Sequence, residues 1–244
     1  MVDATDQKIV EVYDPEIEEM MKAGVHVGHA KSKRNPAMAP YVFAERQSFE
    51  IIDLVKTKEK LAEALEKVRA TVAGGGMVLL VGTRPAAKKV IEEAARETKM
   101  PYCTLRWLGG TLTNFKVISK RIETMERLER EKASGELEKF TKKERAKIDE
   151  ELRNLQKNFD GLRQLKKLPD LTFVADLADD VLPVAEAHRM HIPVVALSDT
   201  NANPKDAEFP IPSNDDALPA VRYMVGRVKD AILSGRQETN KKEA

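Results

Sequence analysis

One cysteine, one tryptophan and no long apolar run leave the 244-residue sequence outside several familiar classes. The lone Cys103 excludes an internal disulfide framework and a cysteine-rich zinc site. No stretch approaches the roughly 20 apolar residues of a spanning helix, so no membrane partner is expected. The opening MVDATDQKIVEVYD lacks a basic start and an apolar core, and is not expected to be a secretory signal. Neither sign of charge dominates, with 41 Lys and Arg against 40 Asp and Glu, so net charge alone names no nucleic-acid partner. The motifs GxGxxG, GxxxxGK[ST] and HExxH are all missing. What remains is a soluble, cytoplasmic chain, long enough for one large domain or two ordinary ones.

What is present is charge segregation. Residues 1–23 carry net −5, residues 24–115 net +6, residues 116–168 net +5 and residues 169–244 net −5. A basic middle between acidic ends suits a phosphate-backbone partner, because neutralised phosphates release counterions. A solvated surface of alternating charge is the other reading. The excess is concentrated: residues 116–168 hold 27 charged side chains in 53 positions, so a highly charged segment is set into an ordinary domain.

That segment reads as two helices. Ile118, Ile122, Met125 and Leu128 recur at helical spacing, as do Ile148, Leu152, Leu155, Phe159 and Leu162, with a narrow heptad-like seam. Ser134-Gly135 breaks the first run, Thr141 and Glu144 have capping-box spacing, and Pro169 closes the second. The spacing predicts a protruding coiled-coil hairpin, with arms reaching roughly 25 and 40 Å at 1.5 Å per residue. Around it, strand and helix signals alternate. Residues 41–44, 49–52, 77–81, 102–105, 171–175 and 194–197 read as strands; 58–72, 85–97, 181–190 and 217–233 read as helices. The fold class is therefore α/β, a doubly wound, mostly parallel sheet. The expected division is an N-terminal extension (1–23), a discontinuous sheet domain (24–115 and 169–234), the hairpin (116–168) and a loose tail (235–244).

Candidate chemistry is sparse. Gly82-Thr-Arg84 follows a strand and opens a helix, where backbone N–H groups can hold phosphate, but it matches no nucleotide fingerprint. Histidines fall in two HxxH pairs, His26/His29 and His188/His191. Such pairs can chelate zinc, yet Gly28 and Pro36 place the first on a loop, and structural or RNA-contacting roles are preferred. Asp176, Asp179, Asp180, Asp199, Asp215 and Asp216 are acidic residues near strand ends. They could bind Mg²⁺, but Asp215-Asp216 is read as a helix-start cap. Cys103 reads as a small buried hydrophobe. Lys31-Ser-Lys33-Arg34-Asn-Pro36 is a basic loop. Arg106-Trp107-Leu-Gly-Gly-Thr-Leu-Thr-Asn114-Phe115 pairs the one tryptophan with arginine and glycines, suited either to stacking on bases or to anchoring the hairpin root. A nucleotide-binding enzyme and a coiled-coil adaptor remain the alternatives to an RNA-binding protein.

Ala23-Gly-Val-His-Val-Gly-His29, Asn35-Pro-Ala-Met38, Ile52-Asp-Leu-Val-Lys-Thr57, Val81-Gly-Thr83, Arg106-Trp-Leu-Gly-Gly-Thr-Leu-Thr-Asn114, Leu168-Pro-Asp170, Ile192-Pro-Val194, Asp199-Thr-Asn201 and Ile211-Pro-Ser-Asn-Asp-Asp-Ala217 form an ordered set. By these segments the chain resembles the universal family of small-subunit ribosomal protein two, over about residues 20 to 235. The resemblance implies a flavodoxin-like sheet and a structural rRNA-binding role at the head–body junction of the 30S subunit. It also implies support of assembly and mRNA recruitment, and a docking surface for the large, mobile ribosomal protein one. The implied partners are 16S rRNA and neighbouring ribosomal proteins, with no enzyme activity, small-molecule substrate, cofactor or metal. The chain departs from the family in Arg34, where many members have Trp, in Arg84, where Lys is common, and in Asp160-Gly161, where Gly-Gly is common. Joined to the basic stretches, the resemblance gives the expected RNA-contacting set: Lys31, Lys33, Arg34, Asn35, Arg84, Arg106, Trp107, Asn114 and Lys116.

Overall fold

The structure is a computed structural model and describes residues 14–243, so the expected N-terminal extension before Asp14 lies outside it. Its main sheet has five parallel strands in the order β5-β4-β6-β7-β8. These are β4 (Val78–Val81), β5 (Tyr102–Cys103), β6 (Leu171–Val174), β7 (Val194–Ser198) and β8 (Phe209–Pro212). The chain starts in the second position, steps outward, then crosses back, which is the doubly wound order of flavodoxin-like sheets.

The period of two sorts the central strands' side chains into two cores. Val78, Leu80, Leu171, Phe173, Val195 and Leu197 enter one; Leu79, Val81, Val174, Val194 and Ala196 enter the other. The first lies beneath α1 (Pro15–Lys22), α2 (Leu54–Ala73), α3 (Pro85–Thr98) and α7 (Leu218–Glu243). The second lies beneath α6 (Val181–Arg189) and the paired helices α4 (Phe115–Ser134) and α5 (Lys142–Phe159). In the charged segment the two helices pack on each other, Ile118, Ile122, Met125 and Leu128 against Leu152, Leu155 and Phe159, in an apolar cluster continuous with the second core. The pair is antiparallel: Lys132 meets Asp149 at 2.7 Å, and Glu129 meets Gln156 at 2.6 Å. Thr141 and Glu144 form the expected capping box. The second arm is shorter than its sequence pattern. After Phe159 the chain tightens into a 3-10 turn, because Gly161 must pass under the Tyr102 carbonyl, where a side chain would collide.

Three elements escaped the sequence pattern. β1 (Val27–Ala30) joins β2 (Val42–Arg46) and β3 (Phe49–Ile52) in a small antiparallel sheet of order β1-β3-β2. Its Gly28 looked like a loop glycine, yet glycine is required there because a β-carbon would press on the Thr200 side chain. β8 reads Phe-Pro-Ile-Pro, and prolines are tolerated because β8 is an edge strand. α1 is capped by Asp14, buries Met20 and is tied down by Arg227–Glu16 at 2.6 Å. The tail expected to be loose from residue 235 is corrected: α7 continues to Glu243. Arg69 pairs with Glu238, and the Thr239 hydroxyl donates to the Val72 carbonyl at 3.1 Å.

Candidate nucleic-acid interface

The basic loop leaves β1 and is pinned to the carboxyl end of β7. His29 N–H donates to the Thr200 hydroxyl at 2.9 Å, and Asn35 N–H donates to the Thr200 carbonyl at 2.8 Å. Residues Lys31–Lys33 form a 3-10 turn between these anchors, and Lys31, Lys33 and Arg34 are exposed. Their charge is partly balanced: Lys31 pairs with Glu45 at 2.6 Å and Arg34 with the buried Glu50 at 3.1 Å. Asn35 is used locally, since its side-chain oxygen accepts from Ala37 N–H and caps the turn that follows.

The Arg106–Phe115 segment wraps around one carboxylate that the sequence pattern did not single out. Glu186, on α6, is 3% exposed. One oxygen accepts from the Trp107 indole N–H (3.0 Å) and Gly110 N–H (2.8 Å). The other accepts from Leu112 N–H (2.9 Å), Thr113 N–H (3.0 Å) and the Thr113 hydroxyl (3.1 Å). Burial pushes this carboxyl up, but the donors outweigh it and hold Glu186 below the ordinary glutamate value. Gly110 turns the chain with φ +92°, a conformation that favours glycine. The only signal in the sequence was an acid in the otherwise apolar run VLPVAEA. Trp107 is therefore corrected from a base-stacking candidate to a buried anchor, which was the other reading. Arg106, Asn114 and Lys116, around the same turn and the start of α4, remain exposed.

The sheet's topological switch point lies between the ends of β4 and β6, where doubly wound folds admit ligands. Here the chain's own side chains fill it. Arg84, at the N-cap of α3, reaches Asp176 (2.7 Å), Asp179 (3.2 Å), Asp215 (3.3 Å) and Asp216 (2.7 Å). Thr83 donates from its hydroxyl to Asp180 at 2.8 Å, and burial raises Asp180 to about 6. Arg84 is thus corrected: it is engaged by four carboxylates, and a phosphate there would meet the negative charge around it. Asp215 is corrected as well. Asn214, not Asp215, caps the chain before α7, accepting from Asp216 N–H and Ala217 N–H, while Asp215 turns inward. Burial and the charges of Asp176 and Asp199 raise Asp215.

The histidine pairs are split. His29 Nδ1 lies 3.1 Å from Asp199 and Nε2 3.2 Å from Asp216, whereas His26 joins neither contact. His188 meets Glu208 at 3.4 Å beside a shallow hollow that His191 also lines. Burial raises the Cys103 thiol to about 12, which leaves it inert at neutral pH.

The fold and site define an α/β scaffold: a parallel-sheet platform whose switch-point crevice is closed by its own ion pairs, with cations displayed on two pinned segments. The family model described as ribosomal protein S2 matches residues 20–235. The small ribosomal subunit protein uS2 of Fusobacterium nucleatum is 45% identical over 222 residues, covering 91% of this chain and 90% of the relative. Its counterpart in Thermus thermophilus is 42% identical over 220 residues, covering 90% and 86%. The chain belongs to the ribosomal protein S2 family. This is a family of ribosomal proteins, not of enzymes. No helix among the described residues is long and apolar enough to cross a membrane.

Proposed function

We propose that this protein is a structural component of the small ribosomal subunit in the cytoplasm. It binds 16S rRNA at the head–body junction and thereby supports assembly, mRNA recruitment and translation. The observation that carries the rRNA reading is the exposed Lys31-Ser-Lys33-Arg34 turn, held between two anchors on Thr200. A pre-ordered turn presents its cations without an ordering cost, and such contacts set register by shape and charge rather than by base sequence. Arg106, Asn114 and Lys116 form a second contact group at the root of the paired helices. The helices act as a projecting coiled-coil hairpin inserted in a discontinuous sheet domain (24–115 and 169–234), adding weak ionic contacts along the subunit. A protein partner, ribosomal protein one, docks on an apolar surface. The hollow lined by Ile17, Met21, Phe43, Ile51 and Val55 suits that role, with Phe43 75% exposed.

The test is affinity for small-subunit rRNA as a function of salt, for the native chain and for Lys31→Ala/Lys33→Ala/Arg34→Ala. Three lost phosphate contacts should flatten the log–log salt slope by roughly 2 to 3 units. An unchanged slope would remove this turn from the rRNA contact.

A further inference from the structure

An apolar hollow opens between α1 and the small antiparallel sheet. Ile17 and Met21 line it from α1, Phe43 from β2, Ile51 from β3 and Val55 from the start of α2. Met21, Phe43 and Val55 are each more than half exposed, and apolar side chains gathered in this way mark a surface that is covered in use. The cavity volume is about 220 Å³, below the roughly 300–1,000 Å³ of small-molecule pockets, so it is sized for a few side chains. An apolar filling alone would not complete it. His26 also lines the hollow, and its buried Nδ1 has no hydrogen-bond partner among the described residues. Buried polar atoms are normally paired, so the fitting occupant is peptide, which brings N–H groups along with apolar side chains.

We propose that the chain's own residues 8–13 occupy this hollow in the free protein. The proposal rests on the reading of the hollow as a docking surface and adds what covers it before a partner arrives. The segment Lys8-Ile9-Val10-Glu11-Val12-Tyr13 supplies apolar side chains at Ile9, Val10, Val12 and Tyr13. It joins the described chain at Asp14, three residues before Ile17. Asp14 is fixed in place, since it caps α1 and meets Lys58 of α2 at 2.5 Å. Pro15 at the start of α1 keeps Asp14 extended, so the chain leaves the helix axis there instead of lengthening the helix. Ile9, five residues back, reaches up to about 17 Å from Asp14 at roughly 3.4 Å per residue. Ile17 and Met21 put the hollow alongside the first two turns of α1, within that reach. So short a tether sets an effective concentration of about millimolar, and weak apolar contacts then suffice. Residues 1–19 precede the family match, so the cover lies outside the shared domain. Ribosomal protein one then docks by displacing residues 8–13.

The experiment uses the full chain with Ile9→Cys and Phe43→Cys, and oxidised glutathione as the oxidant. Cys103 stays, since burial keeps its thiol inert. A disulfide within the chain is expected, at a rate independent of protein concentration. Ile9→Cys/Phe140→Cys should not form one, because Phe140 lies past the far end of α4, a helix about 30 Å long. Val10→Asp/Val12→Asp should uncover the hollow, read as tighter binding of the apolar dye anilinonaphthalene sulfonate. If residues 8–13 cover the hollow about nine-tenths of the time, dye affinity rises roughly tenfold. Adding Phe43→Ser should cancel the gain, which ties the dye to this hollow. A Phe43 pair no faster than the Phe140 pair, unchanged dye affinity in the aspartate variant, or a gain that survives Phe43→Ser would each overturn the proposal. A disulfide formed only between chains would overturn it too, and would assign the hollow to a second copy. Ribosomal protein one should gain the same factor on the aspartate variant. No gain there, with the disulfide intact, would overturn the docking reading and leave the cover standing.

Discussion

Glu186 shows how one side chain can shape a segment ten residues long. Its two oxygens take five hydrogen bonds from four residues of the 107–113 turn, so the turn is moulded around an anion. Glu186→Gln replaces one acceptor oxygen by an amide that faces N–H donors. The expected cost is about 3 kcal/mol, since buried donors left unmet are expensive. Urea unfolding of the two proteins checks it; a cost within error of zero would mean that the turn holds its shape without the carboxylate. At this scale the sequence was legible only where short-range rules apply. The Thr141–Glu144 box follows local spacing. Glu186 meets Thr113 from 73 positions away and Arg84 meets Asp215 from 131, and no local pattern reveals such partners.

The far half of α4 is clamped to the end of α5 and the turn after it. Arg163 grips Glu129 with two bonds of 2.6 Å, and Gln156 adds a third at 2.6 Å. Arg163 holds the Glu129 carboxyl down at about 2, against an ordinary 4.5. A depressed acid stabilises the fold above its unfolded value, and that contribution fades as pH falls from about 4.5 toward 2. Because both side chains keep about a third of their surface in water, the expected contribution is only about 1 kcal/mol. Glu129→Gln should therefore be less stable than the native chain at pH 6 and equal to it near pH 2. A difference that persists undiminished at pH 2 would assign the effect to packing rather than charge. Element identity was readable because a short continuous apolar run marks β4, whereas apolar residues three and four apart mark α4. Element ends were not, because the Gly161 contact that stops α5 early lies across the fold at Tyr102.

Seen as a whole, the molecule is two cores on either side of one sheet, closed at one end by α7 lying along α2. Cutting the chain after residue 234 removes the Arg69–Glu238 pair and the Thr239–Val72 bond. Together these are worth about 1–2 kcal/mol, or roughly 2–8 °C in melting temperature for a chain of this size. An unchanged melting temperature would restore the view of a loose tail. The doubly wound class followed from alternating strand and helix signals. The tail, with Gln, Glu, Thr and Asn on a charged helix, was illegible because its partners sit on α2. A last consequence follows from the sheet's two borders. β8 offers Pro210 and Pro212, which have no N–H to donate, and β5 is only two residues long and backed by the turn at Gly161. The borders of the main sheet therefore present no usable strand ladder to a neighbouring copy. Edge-to-edge pairing of two copies through the five-stranded sheet is thus disfavoured in the free protein.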